Sequence, residues 1–296
     1  MKGGLIKTKI MDMLQMLCHK YNLYLFSTVH VGDKFNLDPY APKTKDLWAM
    51  RGNDTMKGTG SSFPFLVSTL LELRGVEPLL DSSRKESEYP LPSGSTNPME
   101  FQLVKAITTR CKNGPTNMQF NFVVSQSAGV QSSLSHYDYL RDHNYYGLIG
   151  NKINHRPALY QDAALSRSTI NAKIKDYRTR RALELLYQIC FIQNDWSVGA
   201  ALPTAQGIDV AAVMRQEFDV SKLPELLSAQ GYAQDEILNS RGYWTYDKED
   251  PRPYLSAYGV LNILSGNYKP KLNPVGNVSS LSAKIDKAKA AVKKVA

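Results

Sequence analysis

Residues 5–30 read LIKTKIMDMLQMLCHKYNLYLFSTVH, and a change of period inside that run sets the fold class. Over residues 5–20, Ile6, Ile10, Met13, Leu14 and Leu17 recur three and four positions apart, which puts them on one face of an amphipathic helix. Asn22 breaks the pattern. Residues 23–29, LYLFSTV, follow as a short aromatic and β-branched run without polar alternation. Such a run predicts a strand covered on both faces, as inside a parallel sheet. A helix leading into such a strand is half of a βαβ unit, so the expected class is α/β with a mainly parallel sheet.

Working outward, residues 31–60 carry Gly32, Pro39, Pro42, Gly52, Gly58 and Gly60 among scattered charges. A loop that long in a compact domain is either functional or disordered. Within FPFLVSTLLELR (63–74), residues 66–73 predict a strand. Residues 77–98, with four prolines and several serines, predict a surface excursion. FQLVKAITTR from Phe101 and MQFNFVVS from Met118 flank the turn signal Asn113-Gly114-Pro115, which predicts a β-hairpin. Residues 133–142 predict a short helix capped by Ser132 or Ser133, and residues 145–151 close it in glycine. A first domain is expected over 1–160. A small helical domain is expected over 161–268, opening on a helix at 166–191 that is basic and then apolar. Residues 269–296 form a tail with seven lysines and one acid, Asp286.

The chain has 296 residues, 43% hydrophobic and 21% charged, the balance of a folded protein rather than a disordered one. Lys and Arg number 36 against 27 Asp and Glu, a formal charge of +9 that favours a polyanionic partner, nucleic acid first. The plainer account is that the charge only keeps the protein soluble. Cys18, Cys111 and Cys190 lie far apart and form no CxxC pair, which fits a reducing compartment. Residues 1–10 lack the apolar core of a signal peptide, and eighteen apolar residues never run uninterrupted. A cytoplasmic protein with no membrane partner is expected.

The chain contains no Gly-Lys dipeptide, so a phosphate loop GxxxxGK[ST] cannot lie within these residues. There is also no HExxH, no GxSxG and no Cys/His cluster with metal spacing, and no metal site is expected. His136 and His143, seven apart, share a helix face and read as packing or surface histidines.

Taken in order, the pieces are a helix, a strand ending in STVH, a long loop closing with KGTGSSF, a strand VSTLLELR and a hairpin carrying TRCKNGP. That order resembles the second half of the ATPase core of RecA-type recombinases, in particular the phage UvsX branch. The likeness covers about residues 5–150. It implies an incomplete RecA-like core followed by a small helical domain, acting on single- and double-stranded DNA in recombination and repair. His30 stands where the family has a polar sensor residue at a strand end. Lys57-Gly58-Thr59-Gly60 resembles the family's loop closure. Arg110 and Lys112 match two hairpin cations that reach the nucleotide of a neighbouring subunit in a filament. ATP and Mg are the implied cofactors, held mainly by a half of the core that these residues do not include. That half is expected from an N-terminal partner if the gene is split; a truncated product or a diverged non-catalytic subunit is the alternative.

The chemistry of each part also stands on the residues. A histidine at the carboxyl end of a sheet strand can bond a phosphate and couple its state to the following loop, or it can simply be satisfied at a strand end. In that loop Lys34, Lys43, Lys45, Arg51 and Lys57 can neutralise phosphates, and Phe35, Tyr40 and Trp48 can stack on bases. Asp33, Asp38, Asp46 and Asp54 nearly cancel that charge, so a solvated acid-base loop is the other account. Arg110 and Lys112 alternate onto one side of a strand, where cations can stabilise a transferring phosphoryl group or merely be solvated. Arg167, Lys173, Lys175, Arg178, Arg180 and Arg181 face only Asp176 and predict a basic patch for duplex DNA, or a solvated helix face.

Two other readings remain. R-C-K-N-G-P also fits the end of a DnaB-type replicative helicase core, a closed ring in place of an open filament. An accessory DNA-binding subunit that keeps the fold without chemistry is the third. The recombinase reading is favoured by the loop closure and by the continuation after Val123 into helix and glycine. The basic tail departs from the acidic recombinase tail and adds nonspecific DNA affinity instead.

Overall fold

The computed structural model describes residues 2–33, 54–56, 66–81, 83, 85–112, 116–151, 153–194, 219–242, 250, 252–264 and 266. They form a mixed α/β fold. The chain divides into two compact units, one of residues 1–76 with 104–121, the other of 77–103 with 122–296.

The first unit opens with α1 (Lys2–Tyr21), as the three- and four-residue spacing predicts. Asn22, at φ +52°, ends it in the left-handed region that asparagine tolerates. Residues 23–30 then run outside any strand, with Leu23, Leu25, Tyr24 and Phe26 exposed. The expected doubly covered strand at 23–29 is therefore not formed. An apolar run becomes an interior strand only when neighbours bond both its edges and cover both faces, and among the described residues nothing does so. Two short strands follow, β1 (Val31–Asp33) and β2 (Asp54–Met56), paired antiparallel with Val31 opposite Met56 and Asp33 opposite Asp54. Met56 is buried with Val29, Val67 and Leu70 in a small apolar cluster.

A four-stranded sheet runs in the order β3 (Thr69–Pro78), β4 (Phe101–Cys111), β5 (Gln119–Ser125), β6 (Gly129–Val130). Its bonds fix an antiparallel register. The Lys112 amide donates to Ser68 O and the Leu79 amide to Phe101 O, both at 2.9 Å, so β3 and β4 run opposite ways. Thr108 N donates to Met118 O and Gln126 N to Glu100 O, also at 2.9 Å, which sets β4 against β5 as the predicted hairpin. The sheet of the described residues is thus antiparallel where a mainly parallel one was expected. For β4 and β5 the short connection dictates this, because a parallel partner needs a crossover of a dozen or more residues; for β3 and β4 the connection at 79–100 crosses back over no helix among the described residues.

The second unit holds the main core. Helix α2 (Ser132–Asp142) is the predicted one, but Gln131 occupies its N-cap position and no side chain caps it. Ser135 acts instead: its hydroxyl donates to Gln131 O and accepts from Val123 N, both at 2.8 Å, stitching the first turn to β5. A small antiparallel pair follows, β7 (Leu148–Gly150) with β8 (His155–Pro157).

The single helix expected at 166–191 is two, α3 (Ile170–Lys173) and α4 (Tyr177–Asn194). The break falls at Asp176, whose carboxylate accepts from Thr179 Oγ1 at 3.2 Å and from the amides of Arg178 and Thr179 at 3.3 and 3.4 Å. An acid there satisfies the free donors of a helix start, which an uninterrupted helix would not offer. Helix α4 packs on α2 and β8 and on two of the later short helices α5 (Leu223–Ala229), α6 (Gln234–Leu238) and α7 (Ala257–Leu264), namely α6 and α7. Leu183, Leu185, Leu186 and Ile189 are fully buried between them. Each such side chain contributes about 1.5–3 kcal/mol relative to exposure. Gly147, at φ +65°, lets the chain pass Leu186 so closely that a Cβ there would lie 2.7 Å from Leu186 Cδ2.

Candidate functional site

The two hairpin cations lie at the end of β4, and only Arg110 belongs to the strand. Arg110 is the penultimate residue of β4 and half-buried; Lys112 follows the strand end and is exposed. The strand is tied at that end by the Lys112 amide on Ser68 O and by Thr109 Oγ1 donating to Leu70 O at 3.2 Å. The Lys112 ammonium stands 3.5 Å from Leu66 O. Across the hairpin, Asn117 at φ +62° returns the chain, and its amide donates to Thr108 O. Both cations are therefore carried on fixed backbone beside the turn. Pro115 lies outside the described residues.

His30 is exposed and immediately precedes β1. Lys34, Phe35, Lys43, Lys45, Arg51, Lys57, Gly58, Thr59 and Gly60 lie outside the described residues. Their flanks do not: β1 and β2 bring Asp33 and Asp54 opposite one another at the base of the segment.

The six-cation run divides. Arg181 is 3% exposed, so it is core rather than surface: it donates to Ser240 Oγ at 3.1 Å, to Glu184 at 2.7 Å and to Leu255 O. Arg178 pairs with Asp235 at 3.4 Å. Arg167 donates through Nε and Nη2 to the carbonyls of Glu88 and Ser87, each at 2.8 Å. Lys173, Lys175 and Arg180 are exposed. These three and the half-exposed Arg167 are what this run presents to solvent, because a buried guanidinium paired with a carboxylate attracts no phosphate.

Sequence reasoning missed the polar interior around α2. Tyr89 donates to Asp138 Oδ1 at 3.1 Å, and Arg141 bonds Glu88 at 2.5 Å and Tyr89 at 3.3 Å. Burial, and then Asp142 nearby, pushes the Asp138 carboxyl up to about 6. Burial likewise drives the Tyr89 phenol well above its ordinary value. Two residues earlier on the helix, loss of water pushes His136 down to about 4 beneath the Tyr187 ring, whose centroid is 4.5 Å away. His155, buried, stacks on Tyr145 and shares a 3.1 Å hydrogen bond between Nδ1 and the Tyr137 hydroxyl. The Asp138–Arg141 pair has the (i, i+3) spacing of a helix salt bridge and was legible; Tyr89, 49 residues away, carried no local signal.

No family model matches the chain, and no curated protein matches it. Among the described residues no helix is long and apolar enough to cross a membrane. Among those same residues no group of three His, Cys, Asp or Glu is placed to hold a metal ion.

Proposed function

We propose that this chain is the later part of a RecA/UvsX-like recombinase core with a helical domain behind it, acting on DNA in cytosolic recombination and repair. On this reading the antiparallel β3–β4–β5 sheet is the terminal hairpin end of a larger, mainly parallel sheet. Residues 23–29 supply a strand of that sheet once its neighbours are present. The observation that carries the reading is the hairpin itself: Arg110 and Lys112 two residues apart, at the tied end of β4 beside the turn.

ATP and Mg fit these residues only in part. With no Gly-Lys dipeptide and no acid cluster of metal geometry among the described residues, the chain offers an outer contact rather than a cradle. When bound in a complete core, the nucleotide supplies the phosphoryl group; this chain's share is two positioned cations. They are carried on backbone held by hydrogen bonds, so they meet a phosphate without reorganising the chain. The exposed Lys173, Lys175 and Arg180 support DNA contact by neutralising backbone phosphates.

The test is DNA-stimulated ATP hydrolysis by this chain alone and together with the product of the neighbouring upstream gene. Alone, no turnover is expected. In the mixture, Arg110→Ala with Lys112→Ala should cut turnover by about 10³ while nucleotide binding is retained. Hydrolysis by the chain alone, or equal turnover in the variant mixture, would sink the proposal.

A further inference from the structure

The excursion at 77–98 does more than cover the sheet. Its first part is a small antiparallel loop: Asp81 N donates to Glu86 O and Glu88 N to Leu79 O, each at 2.9 Å. The Asp81 carboxylate fills the loop, accepting from Ser83 Oγ at 2.8 Å and from the Lys85 and Glu86 amides at 3.2 and 3.3 Å. Beyond it the chain runs through Tyr89, Pro90 and Leu91 to Pro98 and leaves a cleft of about 790 Å³. Pockets of that size hold small organic ligands.

One wall of the cleft is apolar, made by Pro90, Leu91, Pro98 and the exposed Ile153. The other carries donors: Lys85, Ser87, Thr96, Ser166, Arg167 and Ser168. Ser87 is 8% exposed, yet its hydroxyl makes no hydrogen bond among the described residues. A buried hydroxyl left unmatched is costly, and it lines the cleft. Arg167 is fixed by the Ser87 and Glu88 carbonyls, which use Nε and Nη2. Arg167 also forms loose ion pairs with Asp81 at 3.8 Å and Glu86 at 3.9 Å, longer than hydrogen bonds, with which an incoming oxyanion competes. Glu86 is mostly exposed and lines the cleft beside Arg167. Ser166 and Ser168 stand with hydroxyls 3.2 Å apart beside Arg167.

The geometry points to a binding site for a phosphate monoester with an apolar or aromatic body, seated with the oxyanion on Lys85, Arg167 and the Ser166–Ser168 hydroxyls and the body against the proline wall. A half-exposed guanidinium prepositioned by two backbone carbonyls, with hydroxyls beside it, suits an oxyanion, and the unmatched Ser87 hydroxyl offers a further bond inside the cleft. Two sources carry that chemistry, a free mononucleotide and the 5′-phosphorylated end of a DNA strand. The inference is independent of the recombinase reading, since none of these residues belongs to the hairpin or to the exposed cations of α3 and α4.

The test titrates the full chain with AMP by calorimetry, beside adenosine and inorganic phosphate. AMP should saturate below about 1 mM, and each half-molecule should bind at least about tenfold more weakly. Ser87→Ala and Lys85→Gln, both leaving the Arg167 anchor in place, should each weaken AMP about fivefold or more while the thermal midpoint stays within a few degrees. A 5′-phosphorylated oligonucleotide that displaces AMP where its unphosphorylated twin does not assigns the DNA end; failure of both to displace it assigns the free nucleotide. No saturable AMP binding, or AMP binding untouched in both variants, overturns the site.

Discussion

Replacing Asp138 with asparagine probes the polar interior of α2 through its pH dependence. Burial holds the folded carboxyl at about 6 against an ordinary 3.8, so between those values the folded chain keeps a proton that the unfolded chain has released. The stability tied to that proton is full below about pH 3.8 and is lost as the pH rises through about 6. The displacement corresponds to about 3 kcal/mol. His136 works in the opposite sense. Its folded value is about 4 against 6.5, so its contribution is full above pH 6.5 and is lost as the pH falls through about 4, again about 3 kcal/mol. Two residues apart on one helix, the pair cancels over the window they share. Asparagine keeps an acceptor for the Tyr89 hydroxyl but carries no proton to lose. Unfolding free energy in Asp138→Asn should therefore drop about 3 kcal/mol more than wild type between pH 6.5 and 4. Urea unfolding followed by circular dichroism at several pH values measures it. His155 and the surface acids are common to both proteins and cancel in the difference. Parallel curves for the two proteins would refute the assignment of a displaced proton to Asp138.

Three further outcomes are expected, the last two on the proposal that the chain binds DNA. Gly147→Ala forces a side chain into a left-handed turn against Leu186 and should cost about 2–4 kcal/mol in denaturant unfolding. Arg181→Met strips Glu184, Ser240 and the Leu255 carbonyl of their buried donor; it should cost about 3–5 kcal/mol, with the salt dependence of DNA binding unchanged while the protein is folded. Changing Lys173, Lys175 and Arg180 to serine should do the reverse, leaving stability nearly constant and reducing the slope of log affinity against log salt for duplex DNA by about 2.7.

Local pattern carried the elements whose partners lie close in sequence. The β4–β5 hairpin and α1 were legible because a turn signal and a three-to-four spacing are properties of one short window. Residues 23–29 show where that reasoning ends: a run of apolar, β-branched residues states what a strand would bury, and only neighbours decide whether it is buried. Asp176 shows a second limit. Counted as the lone acid in a basic stretch it read as a minor offset of charge, whereas its carboxylate accepts the free donors at the start of α4. Charge counting failed for Arg181 in the same way, since its partners at Ser240 and Leu255 are 59 and 74 residues distant. Alternation says which residues of β4 share a side, whereas the cleft beside Ser87 depends on how the 77–98 excursion meets Arg167, which no local signal encodes.

The short β1–β2 ladder has a bearing on the twenty residues between its strands, 34–53. Because Asp33 and Asp54 are cross-strand neighbours, that stretch departs and returns roughly 5 Å apart. Drawing together the ends of a free segment of that length costs about 3 kcal/mol in chain entropy. Here the ladder meets that cost on folding, by holding the two flanks of the segment side by side.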